Sequence, residues 1–192
     1  GLAEPDGTCG LRIRAYHEEQ ARGGAALVIM GVVGVGFPTG QNMMNQPAIS
    51  NDRYIPSLRE MSDAMHAHGA KFAVQLHFGG LLAVIDMIAG NPAWTPSVPE
   101  NEAGDMMDAF LDEEAVATPF FKMPPPQYKV MTERDIEELV RMFGDAARRA
   151  RVAGVDGIEI HAGHGYIISS FLSPATNKRT DAYGGSVQNR SR

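Results

Sequence analysis

The sequence predicts an α/β protein of parallel strands in the manner of a (β/α)8 barrel, and three observations carry that expectation. Helical and strand patterns alternate strictly along the chain, which calls for a parallel sheet with helical crossovers. The first strand reads as a continuous apolar run, Ala25 to Met30, as strands do when covered on both faces. Polar side chains bunch at successive strand ends, Gln75 with His77 and His161 with His164, where a barrel builds its active site. The competing open doubly wound sheet would place G-x-G-x-x-G directly after a strand. Gly31-Val32-Val33-Gly34-Val35-Gly36 has the wrong spacing for that and reads as a permissive loop.

Each element has a local cause. A periodic segment from about Leu11 to Arg22 stops at Gly23-Gly24, a helix end, and Ala25 to Met30 follows as the first strand. Ser50-Asn51-Asp52 supplies capping side chains for a second helix, on which Ile55, Leu58, Met61 and Met65 share a face until Gly69. Lys71 to Leu76 is the second strand. Pro92, Pro96, Pro99, Pro119 and Pro124-Pro125-Pro126 then deny regular structure to most of a long loop at about 80–131. Its Trp94, Phe110, Phe120, Phe121 and Tyr128 are candidates to cover a substrate or to pack the loop on the barrel rim. Thr132 with Asp135 resembles a capping box and opens a helix whose Ile136, Leu139, Val140, Phe143, Ala147 and Ala150 share a face until Gly154. Val155 to Ile160 is the third strand, and Gly184-Gly185-Ser186 opens a further helix.

Composition narrows the function classes. The 192 residues, 44% apolar and 21% charged, suit one globular domain. The longest apolar run, Ala25 to Phe37, is shorter than the roughly 20 residues of a membrane span, so no membrane segment is expected. A net charge of −6 works against binding nucleic acid. The single cysteine, Cys9, forms no internal disulfide and favours a cytoplasmic setting. The chain starts at Gly1 without an initiator methionine or a targeting pattern, which implies processing or truncation.

Alternation on the third strand sends Ile158 and Ile160 one way and Gly157, Glu159 and His161 the other. If the isoleucines pack on helices, Glu159 and His161 point into the barrel, and an ionised Glu159 there needs a partner that the local sequence does not offer; an edge position that leaves Glu159 exposed is the alternative. The densest chemical cluster is His161-Ala162-Gly163-His164-Gly165-Tyr166, two imidazoles and a phenol on a turn loosened by glycine. Three readings stand open: loop structure, a polar anchor for a substrate oxygen with Tyr166 as proton donor, or a metal site with His77 as third ligand.

The stretch from Asp156 to Tyr166, continued by Phe171-Leu172-Ser173-Pro174, Asn177, Arg179-Thr180-Asp181, Tyr183-Gly184-Gly185-Ser186 and Asn189-Arg190-Ser191-Arg192, resembles the Old Yellow Enzyme family of flavin-dependent ene-reductases. Gly23-Gly24, Val74-Gln75-Leu76 and Ala153-Gly154 fall in the family's order. The resemblance implies a (β/α)8 TIM barrel, here a partial one lacking the first strand and the C-terminal half, with FMN at its mouth and NADH or NADPH as reductant. An iron–sulfur cluster, as in some subgroups, would lie only in a missing C-terminal region. It further implies that Gln75 holds the pyrimidine edge of the flavin, that Gly31 lets backbone approach the ring, and that His161 lies close to it. His161 and His164 would bind the oxygen of a small unsaturated carbonyl or nitro substrate, and Tyr166 would give the proton.

The resemblance also brings expectations about the rest of the molecule. Without the missing half, this stretch is expected to bind FMN poorly; a homo-oligomer stays open. The order Gln75-Leu76-His77-Phe78-Gly79-Gly80 departs from the family's Gln-Leu-x-His-x-Gly-Arg, which casts His77 as a loop residue without catalytic part. Met30 stands where many members carry glutamate. The segment from Asn177 to Arg192 is read as a loop pinned by Arg179, Asp181 and backbone hydrogen bonds. Two other readings compete: a metal-dependent hydrolase using His161, His164 and His77, and a non-catalytic half-barrel completed by another chain.

Overall fold

The computed structural model describes residues 1–100 and 126–192. Three strands make a parallel sheet: β1 (Leu27–Gly34), β2 (Lys71–His77) and β5 (Gly157–Ile160), in the order β1-β2-β5. Each crossover carries a helix. Helix α1 (Leu11–Arg22) precedes β1, α2 (Ile55–Ala67) joins β1 to β2, and α4 (Glu133–Val152) leads into β5. Strict alternation has therefore produced the parallel sheet expected of it.

The helix ends follow from their sequences. Asn51 accepts from Arg53 N and caps a short turn, Asp52–Tyr54, that runs directly into α2. The capping box at α4 is complete: Thr132 Oγ1 accepts from Asp135 N while Asp135 accepts from Thr132 N. Asp135 also takes Lys129 at 2.6 Å, and these donors hold its carboxyl at about 2. Ser186 opens α6 (Val187–Arg190) by accepting from Asn189 N.

One face of the sheet packs on the helices. Val28, Met30, Phe72, Val74 and Leu76 are buried with Leu58, Met61 and Met65 of α2 and Ile136, Leu139 and Ala146 of α4 in a single core. The other face carries Leu27, Ile29, Gly31, Ala73, Gln75, Gly157 and Glu159; Leu27 and Ile29 stay 51% and 42% exposed, because the described residues form an open part of a barrel wall. Alternation assigned the faces correctly at Glu159. The isoleucines opposite it, Ile158 and Ile160, are nevertheless 43% and 53% exposed rather than covered by a helix. They lie on the outermost strand of the sheet.

Two expectations need correction. Gly31 to Gly36 is not a permissive loop throughout: β1 continues to Gly34, through a register shift between Met30 and Val33. Pairing along β2 overrides the local glycine content. Nor is the proline-rich stretch wholly irregular in its described flanks. A short turn at Gly80–Leu82, α3 (Val84–Ile88), β3 (Ala93–Thr95) and β4 (Tyr128–Val130) occupy them, and β3 and β4 pair in parallel. Trp94 packs on Phe78 at 5.4 Å with the Lys129 ammonium 4.0 Å over its ring, so it serves the barrel rim. Phe110, Phe120 and Phe121 lie outside the described residues.

The tail after β5 is pinned as expected. Arg179 pairs with Asp181 and donates to the carbonyls of Pro96 and Met131, while Asn177 Nδ2 donates to those of Phe171 and Tyr183. No helix among the described residues is long and apolar enough to cross a membrane.

Candidate active site

The site begins with a gap in a strand. On the open face of the sheet, a Cβ at Gly31 would stand 2.9 Å from Gln75 Oε1, so the carboxamide lies against β1 only because residue 31 has no side chain. Gln75 Nε2 donates to Glu159 Oε1 across β2 and β5. Glu159, for which the local sequence offers no partner, thus finds one on the neighbouring strand and remains exposed. The cost of a buried carboxylate does not arise.

Immediately beyond β5 the chain turns sharply. His164 takes the left-handed conformation at φ 56° and Gly165 follows at 74°, a geometry costing a histidine on the order of 1 to 3 kcal/mol. Tyr166 N donates to Gly163 O to close the turn, and α5 (Ile167–Leu172) starts at once. Packing holds the turn down: a Cβ at Gly80 would meet the Ile167 backbone at 2.9 Å, so only glycine lets the β2 loop lie against the start of α5.

The turn gathers the predicted rings. The centroids of His161 and His164 lie 5.1 Å apart, those of His161 and Tyr166 4.7 Å, and those of His164 and Tyr166 6.4 Å. His161 Nδ1 accepts from Gly163 N at 3.3 Å, which places the His161 proton on Nε2, facing His164 Nδ1 at 3.4 Å. His164 Nε2–H is then the outward donor. The link between the rings is at the long limit of a hydrogen bond, and either ring can re-aim at little cost. Burial, with the neighbouring His164 charge, lowers the pKa of His161, so its ring is neutral at neutral pH.

His77 departs most from expectation. It is the last residue of β2, not a loop residue, and it is fully buried. Its ring stands perpendicular to that of Tyr166 at 4.3 Å. Gln46 Nε2 donates to its Nδ1 at 3.1 Å, while its Nε2 is buried without a partner among the described residues. Burial first, and the charge of His161 second, push its pKa down to about 4. Among the described residues no group of three His, Cys, Asp or Glu is arranged to hold a metal ion, and with Nδ1 engaged and its ring 5.8 Å from His161, His77 does not complete the triad a hydrolase would use.

Two residues of the loop after β1 complete the cluster. Asn42 Nδ2 donates to Tyr166 Oη at 2.7 Å, and Asn42 N donates to Gln46 Oε1 at 3.0 Å. Sequence reasoning missed both; Gln46, at 0% exposed, betrays itself in the sequence only as an amide among Pro47, Ala48 and Ile49.

A polar cluster at the ends of parallel strands fits many chemistries, and comparison with known proteins decides among families. The NADH:flavin oxidoreductase / NADH oxidase family matches residues 2–192. The chain belongs to this family. It is 36% identical over 191 residues to the NADH oxidase of Thermoanaerobacter brockii, covering 100% of this chain and 26% of that protein. It is 40% identical over 185 residues to the NADPH dehydrogenase of Halalkalibacterium halodurans, covering 94% and 47%. The crystal structure of Old Yellow Enzyme from Pichia sp. AKU4542 superposes with a TM-score of 0.80 at 27% identity, over 99% of this chain and 47% of that one. The chain thus spans from about a quarter to about half of these relatives, and the fold of this family member is part of a (β/α)8 TIM barrel. Of the residues singled out from the sequence, His161, His164 and Tyr166 follow the end of β5 and Gln75 lies two residues before the end of β2, whereas Gly31 is inside β1, three residues before its end, rather than just beyond the strand.

Proposed function

We propose that this family member provides the flavin- and substrate-facing part of an FMN-dependent, NAD(P)H-linked oxidoreductase that reduces activated C=C bonds of enone, enoate or dienoyl type. The observation that carries the reading is the convergence of two imidazoles and a phenol within 6.4 Å, beside strands whose shared face bears Gly31 and Gln75.

The residues suit FMN. Gly31 leaves a flat place on β1 that a Cβ would fill, and the Gln75 carboxamide beside it can donate and accept at once, as the pyrimidine edge of a flavin requires. Gln75 would hold that edge, Gly31 would let backbone approach the ring, and His161 would lie close to it. When bound, FMN supplies the hydride that it has taken from NAD(P)H, chemistry that protein side chains lack.

What the chain itself contributes is charge placement and a proton. As the β-carbon of the alkene gains hydride, negative charge builds on the conjugated carbonyl or nitro oxygen. His164 Nε2–H and His161 Nε2–H, once the weak link between the rings opens, donate to that oxygen. Each is worth about 3 kcal/mol if it acts as oxyanion donors do. Tyr166 Oη delivers the proton to the α-carbon.

Two measurements test the reading. The full-length protein should carry flavin absorbance as purified and reduce an enone with NAD(P)H; a colourless full-length protein contradicts the reading. A His164→Ala variant should bind a phenol, which mimics the oxygen anion, about tenfold more weakly at unchanged flavin content. Unchanged phenol affinity removes the anchor role.

A further inference from the structure

We propose that Asn42 is a positioning residue for Tyr166, fixing the phenol oxygen as a hydrogen-bond acceptor so that its own hydrogen is kept for the substrate. The inference rests on the reading of Tyr166 as proton donor. Its basis is the 2.7 Å contact from Asn42 Nδ2 to Tyr166 Oη, which joins residues 124 apart in sequence.

The direction of that bond follows from the surroundings. Asn42 Oδ1 is buried without a partner among the described residues. Turning the amide over would bury the NH2 group there instead, and an orphaned buried N–H is rarer and more costly than an under-satisfied C=O. Asn42 therefore donates, and Tyr166 Oη accepts. A hydroxyl that accepts from Asn42 does not spend its hydrogen on it.

Asn42 is itself held in a closed circuit. Its backbone N–H donates to Gln46 Oε1, which turns Gln46 Nε2 toward His77 Nδ1, and the His77 ring braces Tyr166 edge-on at 4.3 Å. The loop after β1, the end of β2 and the turn after β5 thus meet on one phenol. In the proton transfer the Tyr166 O–H bond breaks, a C–H bond forms at the substrate α-carbon, and the oxygen keeps the electron pair. The Asn42 N–H then faces an anion, and a hydrogen bond to a charged acceptor is roughly twice as strong as a neutral one. Water later returns the proton.

The test uses the flavin-loaded protein and follows its two half-reactions separately. Asn42→Leu should slow alkene reduction about tenfold, the effect of one such bond, leave flavin reduction by NAD(P)H unchanged, and add no loss in a Tyr166→Phe background. Asn42→Asp keeps the shape and changes the charge: alkene reduction should be slow at neutral pH and recover as acid protonates the introduced carboxyl. His77, His161 and His164 surround Tyr166 in both proteins, so the difference between the two pH profiles reports residue 42. Alkene reduction within twofold of wild type in Asn42→Leu overturns the proposal, as does an equal loss in the Tyr166→Phe background or an Asn42→Asp profile parallel to wild type. A Tyr166→Phe variant that reduces the alkene at the wild-type rate removes the proton-donor reading instead, and this inference falls with it.

Discussion

The two ends of the sheet are built to different standards. At the end where the strands begin, Asp156 accepts from His66 at 2.6 Å, Lys71 at 2.8 Å and Phe72 N at 2.9 Å, and those donors hold its carboxyl well below the usual carboxylate range. His68 reaches Glu18 at 3.2 Å and ties α1 to the end of α2. At the end where the strands finish, His164 is left-handed, and His77 Nε2 and Asn42 Oδ1 are buried without partners among the described residues. Satisfied groups stabilise a fold, whereas unsatisfied and strained ones persist where surrounding structure over-determines them, as at active sites. The contrast supports the proposed site at the strand ends on physical grounds independent of any relative.

Four substitutions would break or sharpen that contrast. The largest effect belongs to Tyr166→Phe, which should slow alkene reduction by about 100-fold or more, the range of general acid catalysis, and leave flavin reduction by NAD(P)H untouched in stopped-flow measurements. Equal slowing of both would reassign Tyr166 to structure.

His77 links the site to stability. Its pKa is about 4 in the folded state, against about 6.5 unfolded. Between those values the unfolded chain binds a proton that the folded chain refuses, so stability falls as pH drops from about 6.5 to about 4. Denaturant midpoints should show a loss of no more than about 3 kcal/mol across that window, and His77→Gln should flatten it. An unchanged slope in the variant would place the acid sensitivity elsewhere.

At the opposite end, Asp156→Asn should cost about 1 to 3 kcal/mol in chemical denaturation with phenol affinity unaltered. Because the folded carboxyl titrates low, its stabilisation is present above about pH 4 and is lost as pH falls toward its folded value. The variant and the wild type should therefore converge in acid.

The smallest effect is that of Gly31→Ala, whose methyl would displace the end of the flexible Gln75 side chain. FMN affinity should drop about tenfold, roughly 1.4 kcal/mol, with little change in melting temperature. Full FMN affinity would show that Gln75 does not hold the flavin edge.

What could be read from the sequence shares one physical property, locality. The Thr132–Asp135 box, the Gly23-Gly24 stop and the three sheet strands each arise within a few residues, and the His161–Tyr166 cluster is contiguous. The partners that define the site are not local. Asn42 and Gln46 reach Tyr166 and His77 across 124 and 31 residues, and no periodicity points from one to the other. The same reason explains the corrections. His77 is in β2 because pairing with β1 carries the strand to its end, and Glu159 is satisfied by Gln75 because parallel register sets them side by side.

The central claim is that the His161, His164 and Tyr166 groups face a flavin whose edge rests on Gln75 and Gly31. A crystal structure with FMN and a bound phenol tests it most directly. The account predicts the phenol oxygen within hydrogen-bond distance of both imidazoles and the flavin edge on the Gln75 amide. A flavin bound elsewhere, or a phenol that touches neither histidine, would contradict it.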